Sequence, residues 1–255
     1  MENVTGLLVL NPPESKRLIA RAVVQLPQVK KAFKEGWVIV ANGTTTAYIA
    51  EELLGKPVDK FTYAAGYIGH GKLSTTPAEI RQAPFIFHKG ELVDTEAKVA
   101  IRSFGADDVF IKGANAIDPQ GHVGILMAND LGGTIGMALG TLMARGAHLI
   151  VPVGLEKLVP SVPEAAKKCG IYRVKYSMGD KVGLMVVHGA EVVTEIEALK
   201  ILAGVEATMI AAGGIGESQG AVVLLVEGPE DNVRKAFEIV EKIKGEPPVV
   251  PSVPG

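Results

Sequence analysis

Three short polar stretches carry the residue types from which a phosphate site or an acid–base site is made. The first is Asn42-Gly43-Thr44-Thr45-Thr46, which follows the apolar run Trp37-Val38-Ile39-Val40 and precedes a helical pattern from Ala47 to Leu54. A strand that ends in glycine and hydroxyl residues and then turns into a helix brings unpaired backbone N–H groups, hydroxyls and the positive end of the helix dipole to one point. That combination suits a phosphate or a carboxylate. The same residues also read as a threonine N-cap after a turn. The second stretch runs from Lys112 through Gly113, Ala114, Asn115, Ala116, Ile117 and Asp118 to Gly121, after the strand-like Val109-Phe110-Ile111. Lys112 and Asp118 are its candidate catalytic residues. Asp118 would carry a proton, Lys112 would depress its pKa or hold an anion, and Gly113 and Asn115 would touch the ligand. Asp118-Pro119 reads equally as a turn whose carboxylate bonds nearby amides, and Lys112 as a solvated charge. The third, Gly154-Leu155-Glu156-Lys157, adds Glu156 and Lys157 as ligand contacts. Glu156 reads either as a covalent carboxylate nucleophile or as a helix-capping acid.

These loops need strands to place them. Continuous apolar runs at 37–40, 109–111 and 149–153 suit strands buried on both faces, and they alternate with helical patterns at 12–33 (interrupted at Pro27), 47–54, 96–104 and 130–145. Such alternation implies an α/β fold with a mostly parallel sheet covered on both sides. Ligands of open parallel sheets sit beyond the carboxyl ends of the strands, so the three loops are expected to border one cleft. Residues 61–94 read as β-rich with an exposed loop. Gly132, Gly136 and Gly140 lie four apart on the 130–145 helix, which predicts close packing of that face against a sheet or a partner helix. Beyond residue 179 the order strand, helix, strand, strand, helix, with 249–250 as a closing strand, predicts a ferredoxin-like α+β module. The expected domains are therefore 1–178, a ligand-binding α/β unit, and 179–255, with the glycine-rich 213–220 segment between its central strands read as a mobile hairpin or as an anion-binding loop.

Composition narrows the partners. Thirty glycines among 255 residues exceed the ordinary share of about 7%, while Phe 7, Tyr 5 and Trp 1 leave few rings for stacking a base. With 26 Lys+Arg against 28 Asp+Glu the net charge is -2, which offers no basic field for nucleic acid or an anionic membrane. The only cysteine, Cys169, cannot form an internal disulfide, and its Ala-Ala-Lys-Lys-Cys-Gly setting suggests a structural thiol at a helix end in a reducing cytoplasm. No signal-peptide pattern opens the chain. His70, in Gly69-His70-Gly71, stands without a second histidine or cysteine at metal-ligand spacing, so neither a metal nor another cofactor is expected.

The stretch from Val40 to Leu54, with Asn42-Gly43-Thr44-Thr45-Thr46 at its start, resembles the phosphate loop of the superfamily that contains ribose-5-phosphate isomerase, glucosamine-6-phosphate deaminase, CoA transferases and the effector domains of DeoR-type repressors. The blocks Asp108 to Asp118, Gly133-Thr134-Ile135-Gly136 and Ile150 to Lys157 are similar to the corresponding run in methylthioribose-1-phosphate isomerase and the initiation-factor 2B regulatory subunits. The resemblance spans roughly residues 36–157. It implies a three-layer α/β fold, phosphate at the first loop and acid–base or ligand-contacting groups at the second. One departure matters: Gly113-Ala114-Asn115 stands where the sugar-phosphate isomerases carry Gly-Ala-Asp, and an amide cannot serve as a titrating base. The region before Trp37 also lacks a basic helix-turn-helix segment. The C-terminal module resembles the ferredoxin-like domains that mediate subunit contacts in shell proteins and in ribose-5-phosphate isomerase, which implies a homo-oligomer. The resulting expectation is a cytoplasmic protein that binds a phosphorylated small molecule, with isomerase-type proton transfer by Asp118. The alternatives are a non-catalytic sensor or assembly module, and CoA transfer through Glu156.

Overall fold

A computed structural model describes residues 2–253; residue 1 and residues 254–255, the outermost ends of the two expected domains, lie outside the described residues. The chain begins with β1 (Asn3–Leu10), α1 (Pro12–Val23), α2 (Pro27–Glu35), β2 (Trp37–Val40) and α3 (Thr44–Leu54). Then come β3 (Gly66–Gly69), β4 (Lys72–Thr75), β5 (Phe85–His88), β6 (Glu91–Leu92), α4 (Ala97–Ala100), β7 (Val109–Ile111), β8 (Ala116–Ile117) and β9 (Val123–Met127). The remainder is α5 (Gly133–Arg145), β10 (His148–Pro152), α6 (Val162–Lys168), β11 (Gly183–Val187), β12 (Glu191–Val193), α7 (Glu195–Ala203), β13 (Glu206–Gly213), β14 (Ala221–Pro229) and α8 (Glu230–Glu241). Pro27 splits the first helical stretch because it supplies no N–H to a helix interior but suits a first helical turn, where it opens α2.

The largest sheet has the order β12-β10-β7-β2-β5-β6, with β12, β10, β7 and β2 parallel, β5 antiparallel to β2, and β6 antiparallel to β5. Its apolar runs make sense from the two-residue period of a strand. Val38, Val40, Val109, Ile111 and Ile150 enter one buried cluster with residues of α1, α3 and α7, whereas Ile39, Phe110, Leu149 and Val151 enter a second with residues of α5. Both faces are thus buried, and an α/β fold with a largely parallel sheet follows. Because β2 and β7 pair in parallel, Val40 opposite Ile111, the loops after them emerge side by side.

The C-terminal region departs from expectation. β11 pairs antiparallel with β9 in a separate sheet, β11-β9-β8, and β12 extends the large sheet beside β10. Residues 249–250 lie outside any strand. The antiparallel sheet built from β13 and β14 is completed instead by the N-terminal β1, in register from Asn3 opposite Pro229 to Leu10 opposite Val222. A boundary at 178/179 therefore separates strands that are hydrogen-bonded to one another. The reason is pattern matching: Leu8 and Leu10 of β1 are buried while Leu7 and Val9 are exposed, the alternation of a half-covered antiparallel strand.

The glycine face of α5 also differs. A Cβ on Gly136 would lie 2.7 Å from the Leu131 carbonyl oxygen, and Gly132 has φ +84 with its Cβ position 3.0 Å from Gly136 Cα, so these two let residues 131–132 fold onto the first helical turn. Gly140 faces open space, with nothing within 4 Å of its Cβ position, so the three glycines do not form one packed face. Among the described residues no helix is long and apolar enough to cross a membrane.

Candidate functional site

A cleft of about 620 Å³ opens at the carboxyl ends of β2 and β7. Its walls are the start of α3, the segment 112–115, the β9–α5 connection and the β3–β4 hairpin. The hairpin turns at His70 (φ 51) and Gly71 (φ 71), so the loop histidine is a turn residue. It is tied down where Leu73 N–H donates to Met178 O (3.0 Å) and Asp180 N–H donates to Leu73 O (2.8 Å).

The first loop is held by its own polar groups. The Asn42 amide donates to Tyr63 O (3.1 Å) and Gln82 O (2.9 Å), and Gly43 N–H donates to Tyr63 O (3.1 Å). Asn42 therefore shapes the loop while lining the cleft. The Thr46 hydroxyl donates to Gly43 O (3.0 Å), is fully buried and does not line the cleft. What stays open is different. Among the described residues the amides of Thr44, Thr45 and Thr46 have no hydrogen-bond partner, as the geometry of a helix start requires when no side chain caps it. The Thr45 hydroxyl, on a residue 2% exposed that lines the cleft, has no partner either. A buried hydroxyl without a partner costs free energy.

The second loop brings Lys112, Gly113 and Asn115 to the same cleft, and Lys157 joins them from the third. Lys112 Nζ donates to Gly113 O (3.3 Å) and Lys157 Nζ donates to Ala114 O (2.9 Å). Burial, and then the like charge of Lys157, push the Lys112 ammonium down to about 8. Burial also lowers Lys157, against the pull of Glu156. Asn115 Oδ1 accepts from Leu126 N–H (3.0 Å), so the amide braces β9 where a carboxylate was expected by resemblance. Arg81 adds a third cation to the lining.

Two expected site residues are elsewhere. Asp118 does not line the cleft. Its Oδ1 accepts from the amides of Gln120 (3.1 Å) and His122 (3.0 Å), its Oδ2 accepts from the amide of Val162 (2.9 Å), and the His122 ring nitrogen Nδ1 lies 3.0 Å from Oδ2. Burial alone would raise its pKa, but the Val162 amide and His122 outweigh that and hold it below the ordinary carboxylate range. Asp118 is a buried latch between the 118–122 turn and the start of α6. Glu156 is also absent from the cleft wall. Its Oε1 pairs with Lys16 Nζ (3.2 Å), and its carboxylate folds back over Gly154, where a Cβ would meet Oε2 at 1.8 Å. Burial opposes its charge, but Lys16 and Lys157 prevail and keep it ionised below the usual range. A nucleophile needs access, and this carboxylate has none from the cleft.

Sequence reasoning missed several groups. The start of α5 repeats the first loop's logic: after Gly132, the amides of Gly133, Thr134 and Ile135 lack partners among the described residues and line the cleft. Gly132-Gly133-Thr134 after a strand was the available signal, the same glycine-hydroxyl pattern as at 43–46. Glu195 was hidden behind an ordinary capping box at Thr194 and Glu197. It is fully buried, accepts from Leu155 N–H (2.9 Å) through Oε2 and leaves Oε1 unpartnered. Burial, then the charge of Glu156, raise it to about 7. Cys169 caps α6, half-buried. Among the described residues no group of three His, Cys, Asp or Glu side chains is arranged to hold a metal ion.

With the fold class and this cleft defined, comparison with protein-family models, with curated proteins and with solved structures found no match to the chain.

Proposed function

We propose that the chain binds a phosphorylated small molecule, with the phosphate on the amides of Thr44, Thr45 and Thr46 and the three-layer arrangement of the sugar-phosphate isomerase superfamily as its framework. The observation that carries this reading is the Thr45 hydroxyl, buried and unpartnered beside three unpaired helix-start amides. A dianion satisfies all four donors and is favoured by the helix dipole. Further support comes from the charge of the lining: Arg81, Lys112 and Lys157 face one carboxylate, Asp180. Lys112 and Lys157 then neutralise the ligand, while Gly113 and Asn115 form the floor. A non-catalytic sensor is the second reading, favoured by Asn115 in place of a carboxylate and by the remoteness of Asp118.

Melting temperature in the presence of ribose 5-phosphate, glucosamine 6-phosphate and inorganic phosphate, against ribose and glucosamine, tests the proposal. At about 100 times Kd a ligand stabilises by about 2.7 kcal/mol, so the phosphorylated compounds are expected to raise the transition and the neutral sugars to leave it in place. Equal shifts with ribose and ribose 5-phosphate, or an unchanged phosphate response in Thr45→Val, would reject it.

A further inference from the structure

A cleft that handles phosphorylated carbonyl compounds by proton transfer needs a group that can be basic near neutral pH, and the wall offers few. Asp180, its one carboxylate, accepts a hydrogen bond from the Thr75 hydroxyl (2.7 Å) at the edge of β4. The other titratable side chains that matter are the paired lysines. Each has a backbone carbonyl as its hydrogen-bond partner among the described residues, Gly113 O for Lys112 and Ala114 O for Lys157, and neither carries a counter-ion. Two half-buried ammonium groups sharing one pocket, neither held in an ion pair, repel each other, and the cheaper state has one of them neutral. A desolvated lysine beside a second cation is the arrangement that turns an amine into a nucleophile.

The two lysines are not equivalent. Lys157 follows Glu156, whose charge favours the ammonium form. Lys112 has no such neighbour, and its first influences are burial and Lys157 itself. Lys112 also stands directly after β7, beside the threonine loop, where the Cβ position of Gly113 lies 4.0 Å from Thr46 Cγ2. A ligand whose phosphate sits on the α3 amides is thereby brought next to this amine.

We propose that Lys112 is a covalent nucleophile, whose side-chain amine forms an imine with the carbonyl carbon of a phosphorylated aldehyde or ketone held in the cleft. This inference rests on the phosphate-binding reading. The neutral amine nitrogen attacks the carbonyl carbon, a C–N bond forms, and the carbonyl oxygen departs as water with the two protons of the amine. Lys157 stays charged and holds Lys112 in the reactive form.

Reductive trapping tests the step. The full chain is incubated at neutral pH with glycolaldehyde phosphate, or with unphosphorylated glycolaldehyde, then reduced with borohydride and mapped by peptide mass spectrometry. The expected result is one adduct per chain, at least about ten-fold richer at Lys112 than at exposed lysines such as Lys98 or Lys167, with glycolaldehyde phosphate only, and suppressed by inorganic phosphate. Lys112→Arg, which keeps the charge, should lose the adduct, whereas Lys157→Arg should keep it at Lys112. Adducts spread over surface lysines, concentrated at Lys157, or undiminished in Lys112→Arg overturn the proposal. A phosphate-dependent melting shift without a Lys112 adduct overturns the imine alone, and absence of both overturns the binding reading with it.

Discussion

The loop after β2 and the turn between β8 and β9 use their polar groups in opposite ways. Around Asp118, each carboxylate oxygen accepts backbone hydrogen bonds, and the result is a closed structural knot. Around Thr45, a hydroxyl and three helix-start amides end without partners, and Thr44 and Thr45 line a cleft. A polar group whose capacity is spent inside the protein holds the fold, whereas an unpartnered one beside a cleft is the candidate for a ligand. The aspartate, which looks the more reactive residue on paper, is the structural one.

The contrast breaks first at Asp118. Asp118→Ala removes a fully buried acceptor and strands the amides of Gln120, His122 and Val162, so urea unfolding should show a loss of about 3–5 kcal/mol. A loss below about 1 kcal/mol would mean that the knot contributes little. Glu195 lies between the extremes, with one oxygen bonded and one open. Its carboxyl is raised from 4.5 to about 7, so across that window the folded protein keeps a proton that the unfolded chain has released. Stability should fall as pH rises through the window, by an amount on the order of 3 kcal/mol, and Glu195→Gln should flatten the profile. Denaturation midpoints between pH 4.5 and 8 measure it. At Thr45 the sign reverses. Thr45→Val deletes an unsatisfied buried hydroxyl, so the free protein should be at least as stable, while phosphate affinity drops by about 1.5 kcal/mol, roughly ten-fold, in calorimetric titration. The smallest effect separates two glycines of α5. Gly140→Ala should stabilise by about 0.5–1 kcal/mol, since its Cβ position is open, whereas Gly136→Ala meets the Leu131 carbonyl and should destabilise in the same thermal assay.

The strand–loop–helix units were legible in the sequence because their signals are local. The unbroken apolar run 37–40, the glycine and threonines after it, and Pro27 between α1 and α2 each act within one turn of chain. The route of β1 was not legible. Its partner β14 lies more than two hundred residues away, and the alternation in Leu7 to Leu10 says that one face is covered without saying by what. β11 and β12 were equally ambiguous, since short apolar runs fit either sheet. At the site, residue types and strand ends pointed to the cleft and to Lys112, Asn115 and Lys157, whereas Asp118 and Thr45 could not be ranked. Their difference is whether a hydrogen bond has been made, and Asp118-Pro119 read as a catalytic group or as a turn with equal ease. The glycines at 132 and 136 drew attention to helix packing and concealed the second set of open amides, at the start of α5.

Titration of the isotopically labelled chain with inorganic phosphate, followed by amide NMR, reaches the central claim most directly. Saturable shifts are expected, largest at the Thr44, Thr45 and Thr46 amides and strongly reduced in Thr45→Val. Amides at 44–46 that stay in place while phosphate perturbs only the neighbourhood of exposed lysines would contradict it.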